Sequence, residues 1–129
     1  MSKFVINSLS SVGAIHFGES RDEIRSVFGS FTEFKKTKFS KNTTDDFKNF
    51  HVYYTPDNKV EAVEFFKDVE LEFEGKNIFK MDFSELNFND TSIEKDATSI
   101  TYKTLGFSVY SPSKSEIESV VVFAKGYYD

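Results

Sequence analysis

The chain alternates short apolar runs with polar breaks, and the spacing of each run predicts its element. Val12–Phe17 reads as a short extended segment. Ser20-Arg21-Asp22-Glu23 then forms a capping box, in which the serine side chain accepts from the amide three residues on and the glutamate reaches back. Ile24, Val27 and Phe28 follow at helical spacing and Gly29 is a stop, so the pattern predicts a helix over 21–28. Phe31–Phe39 carries lysines on a polar face and reads as an edge strand. Ser40–Asp46 (SKNTTDD) reads as a loop.

Phe50–Tyr54, the turn Thr55–Lys59 and Val60–Phe66 predict a β-hairpin. Val69–Glu74 alternates apolar and acidic residues with period two. Val69, Leu71 and Phe73 therefore face inward, and Glu70, Glu72 and Glu74 share the wet face, before a turn at 75–77. Asp82-Phe83-Ser84-Glu85-Leu86 predicts a second short capped helix. Asn87–Asp96 reads as polar loop, Ser99–Lys103 and Leu105–Tyr110 as strands around Gly106, and Ser111–Ser115 as a turn. Ile117–Ala124 is a nearly continuous apolar, β-branched run, expected at a sheet centre. The expected core includes Val52, Val63, Phe66, Val109, Val120, Val122 and Phe123.

The segments 50–66 and 107–123 align without a gap at an offset of 57. Phe50, Val52, Tyr53, Glu61, Val63 and Phe66 meet identical residues, and Val60 meets Ile117. A capped short helix is expected before each segment, at Ser20 and at Asp82. The expected fold class is α+β: one antiparallel sheet with short helices on one face, a tandem repeat of a helix-plus-hairpin unit. A single domain over 1–129 would hold pseudo-repeats at about 12–74 and 75–129. At 129 residues a chain buries roughly two thirds of its unfolded surface. The filler is aromatic, with 16 Phe and 6 Tyr against no Trp.

The absence of Cys excludes disulfides and thiolate chemistry and fits a reducing, cytoplasmic compartment. Met1–Asn7 does not read as a signal peptide, and no apolar run reaches the ~18 residues a spanning helix needs. A membrane partner is therefore not expected. The net charge of −5 argues against nucleic acid as a partner, because phosphate binding needs clustered cations. That charge is uneven. Residues 57–74 hold Asp57, Glu61, Glu64, Asp68, Glu70, Glu72 and Glu74 against Lys59 and Lys67. Residues 33–48 hold Lys35, Lys36, Lys38, Lys41 and Lys48 against three acids. Uneven charge steers partners of opposite sign, so the acidic stretch predicts a basic one.

Candidate chemistry is sparse. His16 and His51 sit in predicted strands without the neighbours that a ligand set or a catalytic pair requires. Gly13, Gly18 and Gly29 do not make a phosphate loop, and no serine stands in a nucleophile elbow. The expectation is a chain with no catalytic residues, no metal and no cofactor.

The stretch Gly13-Ala14-Ile15-His16-Phe17-Gly18-Glu19-Ser20-Arg21-Asp22-Glu23-Ile24-Arg25-Ser26-Val27-Phe28-Gly29 resembles a pattern of small bacterial proteins, G-x-I-x-x-G-M-S-x-E-E-V-x-x-x-L-G. Asn58–Phe66 and Lys125-Gly126-Tyr127-Tyr128-Asp129 resemble them too. Some of these are immunity proteins encoded beside contact-dependent or other polymorphic toxins. The tandem plan is also similar to β-lactamase-inhibitory proteins and to small outer-membrane assembly lipoproteins, although this chain lacks the lipoprotein cysteine and has Glu19 where Met is common. The resemblance implies a cytoplasmic immunity protein that occludes a toxin, a nuclease with a basic active surface in the preferred case. Charge points to Glu70, Glu72 and Glu74 as the docking row, supported by Glu61, Glu64 and Asp68. Tyr53, Tyr54 and Tyr127 are candidate aromatic anchors. The rivals are an adaptor without a toxin and a small ligand-binding enzyme.

Overall fold

A computed structural model describes residues 3–127. Thirteen strands occur in these residues: β1 (Lys3–Asn7), β2 (Ser11–Val12), β3 (Ile15–His16), β4 (Thr32–Phe34), β5 (Thr44–Asp46), β6 (Phe50–Tyr54), β7 (Val60–Phe66), β8 (Glu70–Phe73), β9 (Lys76–Asn77), β10 (Ile93–Lys95), β11 (Ser99–Tyr102), β12 (Phe107–Tyr110) and β13 (Ser119–Phe123). One α-helix, α1 (Arg21–Phe28), lies between β3 and β4. The structure is mostly antiparallel sheet. An eight-stranded sheet has the order β10-β11-β12-β13-β7-β6-β5-β4, and a five-stranded one the order β3-β2-β1-β8-β9, in which only β1 and β8 run parallel.

The core fills the space between the two sheets. Phe4 of β1 packs on Phe50 and Phe65 of the larger sheet at ring separations of 5.3 and 4.7 Å, and Phe73 of β8 on Phe107 at 5.0 Å. Ile24 and Phe28 of α1 join the same cluster, with the Phe28 ring 5.1 Å from that of Phe50. Rings tilted or edge-on at these separations gain a little beyond the area they bury. The alternation in residues 69–74 is realised: Val69, Leu71 and Phe73 are buried.

The helix starts where its capping box places it. The Ser20 hydroxyl accepts from the Glu23 amide at 3.2 Å, and the Glu23 carboxylate accepts from the Ser20 amide at 3.2 Å. The Ser20 amide, and the Ser20 hydroxyl at 3.0 Å, donate to the Glu23 carboxylate and hold it below its ordinary range. Gly29 ends the helix at φ +76°, a conformation that a side chain would strain.

Several expectations need correction. The second capped segment forms no α-helix: Asp82 caps a single 3-10 turn, Phe83–Glu85. Asn87, Asn89 and Asp90 follow it, and short polar side chains compete for backbone groups. Asp90 accepts from the amides of Ser92, Thr104 and Leu105 at 2.7, 3.0 and 3.1 Å. The stretch 40–46 holds β5, the expected strand 31–39 shrinks to β4, and the polar stretch 87–96 ends in β10. Lys3–Asn7, which carried no strand assignment, is the middle strand of the smaller sheet. Phe66 is half-buried on the far face of its sheet, and its neighbour Phe65 is the fully buried ring.

The strand register repeats. Val52 faces Val63 in the first hairpin, and Val109 faces Val120 in the second. Where β7 meets β13, Val63 faces Val122 and Phe65 faces Val120, so the pairing is symmetric under a shift of 57 about the Glu64–Val121 pair. The two N-cap residues make matching bridges, Ser20 to Lys59 and Asp82 to Glu116.

Candidate functional site

Cross-strand register decides which side chains the larger sheet turns away from the core. One row runs Thr32, Asp46, His51, Glu64, Val121, Ser108, Thr101 and Glu94 from edge to edge. Beside it lie Phe66, Ser119, Tyr110 and Ser99, and on the other side Phe34, Thr44, Tyr53, Ala62 and Phe123. This outer face therefore mixes aromatic rings with carboxylates. His51 lies edge-on to Phe34 and to Phe66 at 5.1 and 4.8 Å, and its Nε2 is 3.5 Å from Asp46 Oδ1. The Tyr53 hydroxyl donates to the Glu64 carboxylate. Burial and that bond push the Tyr53 hydroxyl far above its ordinary range, so it stays a donor. Tyr110 is 42% exposed.

The six carboxylates expected to form one surface are divided between the sheets. Glu64 stands on the outer face of the larger sheet. Glu61, on the same strand, borders a cleft of about 370 Å³ with Lys36, Lys41, Tyr53 and Tyr127, and burial raises its carboxyl above the ordinary value. Glu70 and Glu72 are on β8 in the smaller sheet, where Lys3 of β1 offsets part of their charge: its Nζ is 3.0 Å from Glu72 and 4.0 Å from Glu70. Hydrogen bonding to Glu72 raises the Lys3 ammonium above its usual range. Asp68 and Glu74 are exposed in the turns before and after β8, Glu74 at φ +53°. Of the three candidate tyrosines, two are buried and Tyr127 is half-exposed. Tyr54 is buried against α1, Tyr53 is buried beneath the outer face, and Tyr127 stacks on Phe123 at 5.7 Å. His16 is exposed, its backbone amide donating to Glu19 at 2.6 Å.

The densest polar cluster went unread in the sequence. Asp45, 0% exposed, accepts from Arg25 Nη2 and Nε at 2.7 and 2.8 Å, from Arg21 Nη2 at 2.9 Å and from the Tyr54 hydroxyl at 2.9 Å. Burial alone would raise this carboxyl, but the bonds from Arg25, Arg21 and Tyr54 outweigh it and hold the group below its ordinary range. Glu33 closes the far side, accepting from Arg25 at 2.9 Å and from Thr43 at 2.7 Å. Arg21 also lies over the Tyr54 ring at 4.4 Å. Two cations and two anions pair with one another, so the cluster fastens α1 to β5. A signal did exist: Arg21 and Arg25, four apart, share a helical face with Ile24 and Phe28, and cations on the core side demand a buried acid.

Among the described residues no three of His, Asp or Glu converge as a metal site would, and no helix is long and apolar enough to cross a membrane. No known family model matches the chain, and neither curated proteins nor solved structures give a significant match.

Proposed function

We propose that this chain is a protein-binding module, an immunity protein acting in the cytoplasm to occlude a toxin domain. We propose further that the outer face of the larger sheet is its docking surface. The observation that carries this reading is the composition of that face: Phe34, His51, Phe66 and Tyr110 are partly or fully exposed around Glu64 and Asp46. Aromatic anchors with few fully desolvated charges are what interfaces favour, and carboxylates at the margin steer a basic partner. The smaller sheet is the weaker platform, because Lys3 offsets Glu70 and Glu72.

The repeat belongs to the same reading. A unit made of a two-residue hairpin (β2-β3 or β8-β9), a capped turn and a four-strand meander (β4–β7 or β10–β13) occurs twice. The symmetric register and the paired cap bridges support a tandem duplication with a pseudo-twofold axis near Glu64–Val121. The docking face then spans both units.

The test uses the product of the adjacent gene as bait. Wild-type chain should capture it and protect cells that express it. A variant carrying Glu64→Gln and Tyr110→Ala, in which the amide oxygen still accepts from Tyr53, should melt close to wild type and lose capture, whereas Glu70→Lys, Glu72→Lys and Glu74→Lys together should retain most of it. Loss in the triple variant alone would move the docking surface to the smaller sheet. Failure of wild type to capture or protect would reject toxin neutralisation.

A further inference from the structure

The connection from β4 to β5, residues 35–43, is unlike anything else on the molecule. It carries Lys35, Lys36, Lys38 and Lys41 with no acid among them, in a chain of net charge −5. None of these four lysines enters an ion pair among the described residues. At the tip, Phe39 is 81% exposed, the most exposed large apolar side chain described. The tip is built: the Thr37 amide donates to Ser40 Oγ at 3.0 Å, the Ser40 amide to the Thr37 carbonyl at 3.1 Å, and the Phe39 amide to Thr37 Oγ1 at 3.1 Å. At its base, Lys36 lies over the Tyr53 ring at 4.5 Å.

The corresponding connection in the other half, β10 to β11, is only residues 96–98, a turn in which Asp96 accepts from the amides of Thr98 and Ser99 at 2.9 Å each. Two strands can thus be joined here in three residues, so the nine of 35–43 exceed what the join requires by six, with Asn42 and Thr43 at the end serving the ion cluster. Long ordered loops on a rigid sheet are where binding residues concentrate.

We infer that the 35–43 finger docks the protein peripherally on an anionic lipid surface, with Phe39 entering the interface and the lysines lying among the headgroups. The composition selects this partner over other anions. Protein interfaces favour Arg and are depleted in Lys, and bidentate phosphate recognition in nucleic acids also favours Arg. Lysines on flexible stems around one exposed aromatic ring suit a soft surface that is charged outside and apolar within. The acidic remainder of the chain does not forbid it, because charges beyond about 8 Å are screened at physiological salt. Among the described residues a single carboxylate, the half-buried Glu61, borders the cleft beside the finger. Peripheral docking needs no spanning segment, so the lack of one in the sequence does not bear on it. The inference is independent of the toxin reading and fails separately from it.

The test is sedimentation of the full chain with vesicles of phosphatidylcholine alone and of equal parts phosphatidylcholine and phosphatidylglycerol. Binding is expected to the anionic vesicles only, and to fall with added salt. Phe39→Ala should weaken it about tenfold or more, the scale of one buried aromatic side chain. Lys35→Gln with Lys38→Gln should weaken it about tenfold or more, at roughly fivefold per lysine. Both variants should melt like wild type, since the loop is exposed. The chain has no Trp, so Phe39→Trp supplies a single reporter, whose emission should shift to the blue on anionic vesicles. No binding to anionic vesicles, equal binding by wild type and Phe39→Ala, or an unshifted emission would each overturn the inference. Duplex DNA or polyglutamate bound more tightly than the vesicles would overturn it in favour of another polyanion.

Discussion

The two halves of the larger sheet solve the same packing position with opposite chemistry. In one half the row across the strands, on the core side, is Asp45, Val52, Val63. In the other it is Ile100, Val109, Val120. The second and third members match, but the first is a buried carboxylate in one half and a buried aliphatic side chain in the other. The difference follows from what covers each half. Asp45 lies under α1, whose Arg21 and Arg25 face the sheet, while around Ile100 the layer is apolar, with Phe88 edge-on to Tyr102 and Phe107 at 5.6 Å each. A strand position on the core side is therefore defined by being satisfied, not by being apolar. A paired ion and an isoleucine both meet that condition, although a buried ion pair adds less net stability than its bonds imply.

The first way to break the comparison is Asp45→Ala. It leaves two guanidinium groups without their buried partner and should cost about 3–5 kcal/mol, with α1 the first element to loosen. Urea unfolding measures it, and a loss below about 1 kcal/mol, the scale of an ordinary surface change, would show that the cluster is not a fastening. Ile100→Ala at the matching position leaves a cavity and no unpaired charge. It should cost about 2–5 kcal/mol, depending on how far the site collapses, and should not alter amide exchange in α1.

Acid sharpens the contrast further. The folded Asp45 carboxyl lies below the ordinary 3.8, so its contribution is complete above that value and is lost as pH falls through the lower folded one. Amide exchange in α1 and β5 should therefore rise below about pH 3.8 before that of β11, β12 and β13. Asp90 and Asp96 in the second half are also held low: at Asp90 burial would raise the carboxyl, but bonds from Thr104, Ser92 and Leu105 outweigh it, and at Asp96 the Thr98 amide bond leads. They fasten loops, so acid should loosen residues 87–98 and leave those strands intact. Simultaneous loss everywhere would dissolve the distinction between the halves. The smallest effect should come from Glu33→Gln, at the exposed margin of the ion cluster. It keeps one acceptor oxygen, for Arg25, with the amide nitrogen toward the Thr43 hydroxyl, and should move the unfolding midpoint far less than Asp45→Ala does.

What could be read without coordinates was the set of elements whose cause is local. The α1 capping box, the β6–β7 and β12–β13 hairpins and the alternation of β8 each depend on side chains within a few residues of one another. Their signals survive in the chain as caps, turn residues and period two. The offset of 57 likewise marked strands that adopt matching registers. The missed elements depend on distant partners. Thr44-Asp45-Asp46 has the composition of a loop and becomes a strand because Arg21 and Arg25, some twenty residues earlier, neutralise its buried acid. Lys3–Asn7 is a strand because β2 and β8 flank it. The Asp82 cap resembles that of Ser20, but Asp90 beyond it bonds to Thr104 and Leu105 of another segment, and the helix stops at one turn.

The same division runs through the candidate site. The sequence by itself determined that acids gather in 57–74 and lysines in 33–48, since composition along the chain is independent of folding. Only the tertiary structure decided what those charges face. Folding sent Glu64 to the outer face of one sheet and Glu70 and Glu72 to the other, and set Lys3 beside the latter pair. It buried Tyr54 and exposed Tyr110. Periodicity assigns residues to alternating faces of a strand. Which face meets the core, and which charges meet across strands, depends on pairings between segments far apart in sequence, where local spacing carries no information.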